Sequence, residues 1–324
     1  MSVSHALAAA CLALAQAFAA TAAPAQGWPT KPVRILVPFA PGGSVDSVAR
    51  VVGAKLQEIT GQPVIIENKP GVGGNQAADL VAKSAPDGYT ILQNTVGQTM
   101  SPSLYKSLPY DTERDLVPVT QLLESGLLLV AAPKLPVSNL AELIALAQAE
   151  PGKLNAGNTG VGNPLHLAME MLMRATGVRI QGVAFRGDAP IMTALMSGDI
   201  QVAIFPVAVG VPAVEGGQIK ALAVSTAKRI RFLPNLPTIA EQGVPGFAAD
   251  SWQGWWAPGG TPPAIVQRIY EEMKTVLSAP DVATRMTALS AEIVASTPAE
   301  FAAKTKADIA KYARIVKEAN IPLQ

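Results

Sequence analysis

The sequence predicts an α/β protein. Three observations carry that expectation. Short β-rich runs alternate with capped helical segments, two of the runs are almost continuously apolar, and turns bearing Gly, Ser, Thr or Asn recur between strand and helix. Residues 33–37 read as the first strand, and PFAPGGS then turns into a helix. On that helix Val45, Val48, Val52, Leu56 and Ile59 recur at three- and four-residue spacing. Gly61 closes it where a left-handed residue is wanted. Residues 64–67 form the next strand, Asn75 caps a short helix ending before Pro86, and 89–93 form a third strand. Ser101-Pro102 starts another helix, with Ser as cap and Pro in the first turn.

The runs 117–123 and 127–132 are the near-continuous apolar ones, as expected of strands covered on both faces. The pattern then restarts. A helix starts at Ser138 or Asn139, and 154–156 and 178–185 read as strands. Between them Asn163-Pro164 opens a helix that closes at Gly177. Asp188 caps a helix ending at Gly198, and 201–205 and 219–225 are further strands. Thr238 with Glu241 three residues on reads as a capping box. The last third is helical. Thr261-Pro262 starts one helix, and Thr297-Pro298 with Glu300 starts a long final one striped by Phe301, Ile309, Tyr312, Ala313 and Val316.

At about 150 residues per domain, 324 residues suggest two domains. We divide the chain into one lobe from 27–122 plus 250–324 and a second from 123–249, with crossings near 122–126 and 248–253 acting as a hinge. Hydrophobic residues make up 49% and charged residues 15%, and 25 Lys+Arg against 24 Asp+Glu leave a net charge of +1. That balance excludes the basic stripe of a nucleic-acid binder and gives no electrostatic attraction to anionic lipid. Residues 6–20 are apolar except for Gln16, too short a run to cross a bilayer that needs roughly 20 apolar residues. Ala23-Pro24-Ala25 places small residues where a signal peptidase reads, so residues 1–25 are expected to be a cleaved export signal and the mature protein soluble and exported. The only cysteine, Cys11, leaves with the signal, and of the two histidines only His166 stays. Thiol catalysis, disulfides and cysteine metal sites are thereby excluded, and neither a metal nor a cofactor is expected.

The informative feature is a repeated device in which a strand runs into Gly, Ser, Thr or Asn and then a helix start. It occurs as Pro41-Gly42-Gly43-Ser44, as Gly73-Gly74-Asn75, as the stretch GNTGVGN from Gly157 to Asn163, and as Arg186-Gly187-Asp188. The first turn of a helix leaves backbone N–H groups unpaired, and the aligned peptide dipoles put partial positive charge there. Glycines let an anion approach that backbone closely, so several such ends around one cleft would hold a carboxylate without Lys or Arg. Each dipole contributes on the order of 0.3–1 kcal/mol at an exposed site, against about 8 kcal/mol for micromolar binding. Direct hydrogen bonds and closure of a dry cleft must supply the rest. The same glycines also serve as plain tight turns.

The nucleotide-binding alternatives fail on spacing. Gly71-Val72-Gly73-Gly74-Asn75-Gln76 lacks the third glycine of a dinucleotide fingerprint, and Gly152-Lys153-Leu154 lacks the Ser/Thr of a phosphate loop. Gly42-Gly43-Ser44-Val45-Asp46 lacks the last glycine of a nucleophile elbow. His166 reads as a packed structural histidine or a cleft lining. Asp46 either caps its own helix or faces a ligand, and Arg186 pairs with a local carboxylate or with a substrate. Trp252, Trp255 and Trp256 sit in an apolar context that points to core and hinge packing rather than a sugar platform.

Four stretches together resemble the periplasmic receptors of tripartite tricarboxylate transporters, also called Bug-type receptors: WPTKPVRILVPFAPGGSVDSVAR, GNTGVGNPLHLAMEML, FRGDAPIMTALMSGDIQVAIF and LPNLPTIAEQGVPGF, supported by ENKPGVGG and WWAPGGTPPAIV. The resemblance covers essentially the whole mature chain. It implies a type II periplasmic-binding fold, two α/β lobes closing on a small organic carboxylate. It implies a membrane permease of the tripartite type as partner, and we expect a monomer. In such receptors backbone amides and bridging waters hold one carboxylate between the first-strand loop and the glycine-rich loop of the second lobe. Carried over, the ligand-binding residues are Phe39, Gly42, Gly43, Ser44 and Asp46, with Thr159, Gly160 and Asn163 opposite. Phe185, Gly187 and Asp188 close the second lobe's side, and Gln98 and Val207 are candidates for setting ligand identity. Phe185 stands where the family usually has Tyr, and Asn163 where it often has Ser or Thr, which points to a ligand less polar than citrate. Two alternatives stay open: a receptor feeding a sensor kinase, and an exported hydrolase or isomerase using His166 as base.

Overall fold

The computed structural model describes residues 27–39, 41–158, 164–185 and 187–324. The expected export signal with Cys11, and Thr159, Gly160, Asn163 and Arg186, lie outside the described residues. The chain opens with β1 (Val33–Val37), α1 (Ser44–Thr60), β2 (Val64–Asn68), α2 (Asn75–Ala82), β3 (Thr90–Thr95), α3 (Gly97–Leu104) and β4 (Leu116–Ser125). It crosses at Gly126 into β5 (Leu127–Ala131), α4 (Leu140–Ala149), β6 (Asn155–Asn158), α5 (Pro164–Thr176), β7 (Gln181–Ala184), α6 (Asp188–Ser197), β8 (Val202–Pro206), α7 (Val207–Glu215) and β9 (Lys220–Val224). It then returns through β10 (Ser251–Pro258), α8 (Pro263–Leu277), α9 (Pro280–Ala288), β11 (Glu292–Ile293) and α10 (Pro298–Glu318).

Two sheets result. One has the strand order β11-β4-β10-β3-β1-β2 and the other β7-β6-β8-β5-β9. Helices pack on both faces of each, which is why 127–132 reads as an apolar run: all five residues of β5 are buried, while the other expected run falls in β4, where Val119 to Leu123 are buried. In the first lobe Val45, Val48, Val52 and Leu56 of α1 pack with Ile35 and Val37 of β1, while Leu36 joins a second cluster on the other face. Ile59, in the last turn of α1, is exposed. In the second lobe Leu129 and Ala131 join Leu140 and Leu143 of α4 on one face, and Leu128 and Val130 join Ile191 and Leu195 of α6 on the other. The fold is the two-lobed α/β architecture.

The strand registers decide which ends of the sheets meet. Ser251 pairs with Ser125 and Gln253 with Thr95, so both crossings lie at the carboxyl end of β3, beside parallel β1. Leu127 pairs with Pro206, which puts the same crossing at the carboxyl end of β8, beside parallel β6. Each lobe therefore turns the carboxyl ends of its parallel strands toward the other, where open α/β sheets bind ligands.

Several sequence expectations are corrected. The last third is not all helix, because β10 lies inside the first sheet and β11 at its edge. The helix expected from Ser101-Pro102 starts four residues earlier at Gly97, where the Thr95 hydroxyl accepts from the Gly97 N–H. Pro102 sits inside it and cannot donate to the Gln98 carbonyl, and the helix ends at Leu104. Thr238 and Glu241 do form the reciprocal capping bonds, yet they close a turn, with no helix after it. The final helix buries Phe301, Tyr312 and Val316 as expected, but Ala313 is exposed, and Thr305 and Asp308 take buried positions.

Candidate functional site

On the first lobe the site is built from the turn between β1 and α1. Gly42 has φ +85°, a conformation that favours glycine, and it aims its N–H at Asp46 Oδ2 (2.8 Å). Gly43 is the helix N-cap, and no side chain caps α1, so the first-turn N–H groups lack side-chain partners. Asp46 is buried. Its carboxylate is gripped by Arg50 through two bonds (2.9 and 3.0 Å), by Asn68 Nδ2 (2.9 Å) and by the Gly42 N–H. The Arg50 guanidinium, ahead of these neutral donors, holds the Asp46 carboxyl down at about 2. Asn68 Nδ2 also donates to the Phe39 carbonyl (2.9 Å), so Asn68 fixes the loop from below. Asp46 thus braces the turn, and Phe39 and Ser44 are exposed on it.

Behind the α1 start runs a buried polar chain. Trp255 Nε1 donates to Gln93 Oε1 (2.9 Å), Gln93 Nε2 donates to Gln253 Oε1 (3.0 Å) and to the Val45 carbonyl (3.1 Å), and Gln253 Nε2 reaches the Ser44 hydroxyl (3.3 Å). The helix start is thereby tied to β10, the strand that enters from the second crossing. A second chain lies below the carboxyl end of β3. Asn94 Nδ2 donates to Gln98 Oε1 (2.8 Å), Gln98 Nε2 to the Tyr110 hydroxyl (2.9 Å), and that hydroxyl to Asn75 Oδ1 (2.7 Å). Gln98 is fully buried and both its amide atoms are engaged within the lobe. Burial pushes the Tyr110 hydroxyl up to about 12, so it stays protonated as this chain requires.

On the second lobe, Asn158 ends β6 just before the glycine-rich stretch, and Pro164 opens α5 after it. Phe185 is half-buried beside the lobe core. Gly187 takes φ +111° as N-cap of α6, which also has no side-chain cap. Asp188 is the first residue of α6, half-buried, and burial raises its carboxyl above the usual range. Val207 starts α7, but its N–H donates to the Gly126 carbonyl (3.1 Å) and its side chain is buried at the first crossing. A β-carbon on Gly126 would lie 3.2 Å from Val207 Cγ2 and from Thr226 Cγ2. Val207 thus packs the hinge.

Sequence reading missed Asn68, Gln93, Asn94 and Gln253, which position the first-lobe loop. His166 lies on α5 with Nε2 3.6 Å from Glu170 Oε1, and burial, ahead of the opposing pull of Glu170, lowers its pKa. Among the described residues no group of His, Cys, Asp and Glu is arranged to hold a metal ion. No helix of the described residues is long and apolar enough to cross a membrane. A cavity of about 560 Å³ sits at the crossings, where Lys304 lies between Asp250 (2.9 Å) and Asp308 (3.3 Å). That cation is already neutralised within the protein, unlike the uncapped helix starts.

The sequence over residues 48–321 matches the family model described as tripartite tricarboxylate transporter family receptor. The chain is 34% identical over 312 residues to Protein BugT of Bordetella pertussis, covering 95% of this chain and 96% of that one. Its fold is similar to that of the periplasmic binding protein BugD, with TM-score 0.78 and 33% identity over 92% of this chain and 100% of that chain. It is also similar to Rpa4515 of R. palustris solved with adipate, with TM-score 0.81 and 36% identity over 92% of this chain and all of that one. With this match over most of its length, the two-lobed α/β fold and the paired helix starts at the crossings, the chain belongs to the receptor family of the tripartite tricarboxylate transporters.

Proposed function

We propose that the protein is a periplasmic receptor that captures a small organic carboxylate between its lobes and delivers it to the membrane permease of a tripartite transporter, acting as a monomer and performing no chemistry. The observation that carries this reading is the pair of uncapped helix starts, α1 on one lobe and α6 on the other, at the strand ends that face each other across the crossings. One carboxylate binds the N–H groups at Gly43, Ser44 and Val45 and those of the loop bearing Thr159, Gly160 and Asn163. Phe39 and Phe185 lie against an apolar ligand body, and the Gly187-Asp188 turn closes over it. Gln98 and Asp46 act by holding Asn94 and the Gly42 turn in place rather than by touching the ligand. Residues 1–25 direct export. The solved relative that holds adipate, two carboxylates on an apolar chain, supports a ligand of this type.

The experiment is a thermal-shift panel of di-, tri- and aromatic carboxylates on the mature chain. A true ligand at a hundred times Kd adds about 2.7 kcal/mol and raises the melting temperature. A panel that leaves the melting temperature unchanged contradicts the reading.

A further inference from the structure

A groove of about 700 Å³ runs from one lobe to the other between α5, the turn at 244–248 and α10. Its floor is apolar, with Val244 and Phe247 of the second lobe facing Ile315 of the first, all buried, and Met171 half-buried beside them. Its rim is cationic: Arg174, Lys311 and Arg314 stand against one carboxylate, Glu318. Arg174 is the cation that uses that carboxylate, at 3.3 Å, and it also donates to the Glu318 main-chain carbonyl. Lys311 donates to the Ala248 carbonyl (2.8 Å) and stands within the field of the Asp250 carboxylate, whose pKa it helps to lower. Arg314 is exposed and makes no ion pair among the described residues. Arg314 therefore borders the apolar floor without an ion-pair partner among the described residues, and the three cations outnumber the rim's one carboxylate, on a chain whose net charge is only +1. The site is distinct from the candidate carboxylate cleft. The cleft lies at the start of α5 and the groove near its end, about 15 Å along the axis from Pro164 to Arg174 at 1.5 Å rise per residue.

We infer that this groove is the docking surface for an acidic segment of the membrane partner, one with an apolar side chain flanked by carboxylates. The inference rests on the reading that the receptor hands its ligand on. The apolar side chain fills the floor and displaces water, while the carboxylates meet Lys311 and Arg314, giving the segment its orientation and speeding its encounter. Both lobes line the groove, so its width follows the angle between them. A partner seated there senses whether the receptor has closed.

The test places a photo-cross-linker at the groove by Ala175→p-benzoylphenylalanine, an exposed position that leaves the cations intact. The mature protein is irradiated with membranes from the cell that makes it, and the adduct is mapped by mass spectrometry. Expected is an adduct on an acidic extracytoplasmic segment of a multispanning protein, with its yield reduced about tenfold by Arg314→Glu and less by Arg314→Gln. An adduct to a second copy of this chain, an adduct to a basic segment, no adduct, or the same yield in Arg314→Glu overturns the inference. The carboxylate-induced melting shift is measured on the same proteins. If it is intact while docking fails, only the groove assignment falls. If the unsubstituted protein shows no shift with any carboxylate, the receptor reading itself fails.

Discussion

Asp46 illustrates how one buried carboxylate braces a turn from within. Its three neighbours, Arg50, Asn68 and the Gly42 N–H, hold the turn that brings the α1 start to the crossings. Its folded pKa of about 2 lies below the usual value of about 3.9, so the stabilisation is fully present above pH 4 and is lost as pH falls toward 2. Asp46→Asn should therefore cost about 1–2 kcal/mol at neutral pH, discounted because Arg50 is half in solvent. Urea unfolding at pH 7 and near pH 2.5 checks this, since the gap between the two proteins must narrow at low pH. An equal gap at both would show that the charge is not what acts. Gly43 has φ −74° and ψ 169°, which any residue adopts, so Gly43→Val should fold normally yet crowd the N–H groups. We expect at least about a tenfold loss of carboxylate affinity by calorimetry with little change in melting temperature. The glycine-rich turns were legible because their spacing is local. Gln93 and Gln253 were not, because they meet across 160 residues and neither carries a local pattern.

At the scale of elements, β10 was hidden by its own composition. The tryptophans point to core and hinge packing but carry no strand alternation, and Gly254 among them leaves room for the Phe301 ring of α10 to lie against the strand. A β-carbon there would lie 2.2 Å from Phe301 Cζ. Phe301 packs against Trp256 (centroids 4.8 Å) and edge-on against Trp252 (5.4 Å), so three rings join α10 to the strand leaving the second crossing. Trp255 points to the opposite core, where its indole N–H anchors Gln93. Phe301→Ala should cost about 3–5 kcal/mol in chemical denaturation. A loss below about 1 kcal/mol would mean that α10 is not fastened through this ring. The Thr297 capping box behaves as its sequence predicts, with Glu300 N–H donating to Thr297 Oγ1 (3.3 Å) and the Thr297 N–H to Glu300 Oε2 (2.8 Å). The equally legible Thr238 and Glu241 pair starts no helix, because the chain turns through Gly243 and Gly246, both at positive φ, toward β10. Local capping chemistry fixes a turn, and the rest of the fold decides whether a helix grows from it.

At the scale of the molecule, the two sheets share the crossings at Gly126 and Ala249–Asp250 and a set of ties between lobes. Leu167 of α5 is buried among Trp252, Trp256 and Phe301 of the first lobe, Arg174 pairs with Glu318, and Arg231 donates to Thr287 Oγ1 (2.8 Å). On the proposed reading, closure is a rigid-body adjustment about the crossings, limited by these ties. Saturating carboxylate should reduce the radius of gyration in small-angle X-ray scattering, and an unchanged profile with demonstrated binding would show that the ligand enters a preformed cleft. The α/β class was legible, and so was the alternation of elements up to β9, because strands such as β1 and β5 are rich in branched apolar residues and the turns between elements carry local signals. The facing of strand ends was not, because it arises from the pairing of β10 with β3 and β4 in one sheet and of β8 with β5 in the other, between segments far apart along the chain. The most direct measurement is a crystal structure of the mature protein with the carboxylate that stabilises it best. The account predicts carboxylate oxygens within about 3.2 Å of main-chain N–H groups in the first turn of α1. A carboxylate clamped by Lys or Arg side chains away from the helix starts would contradict it.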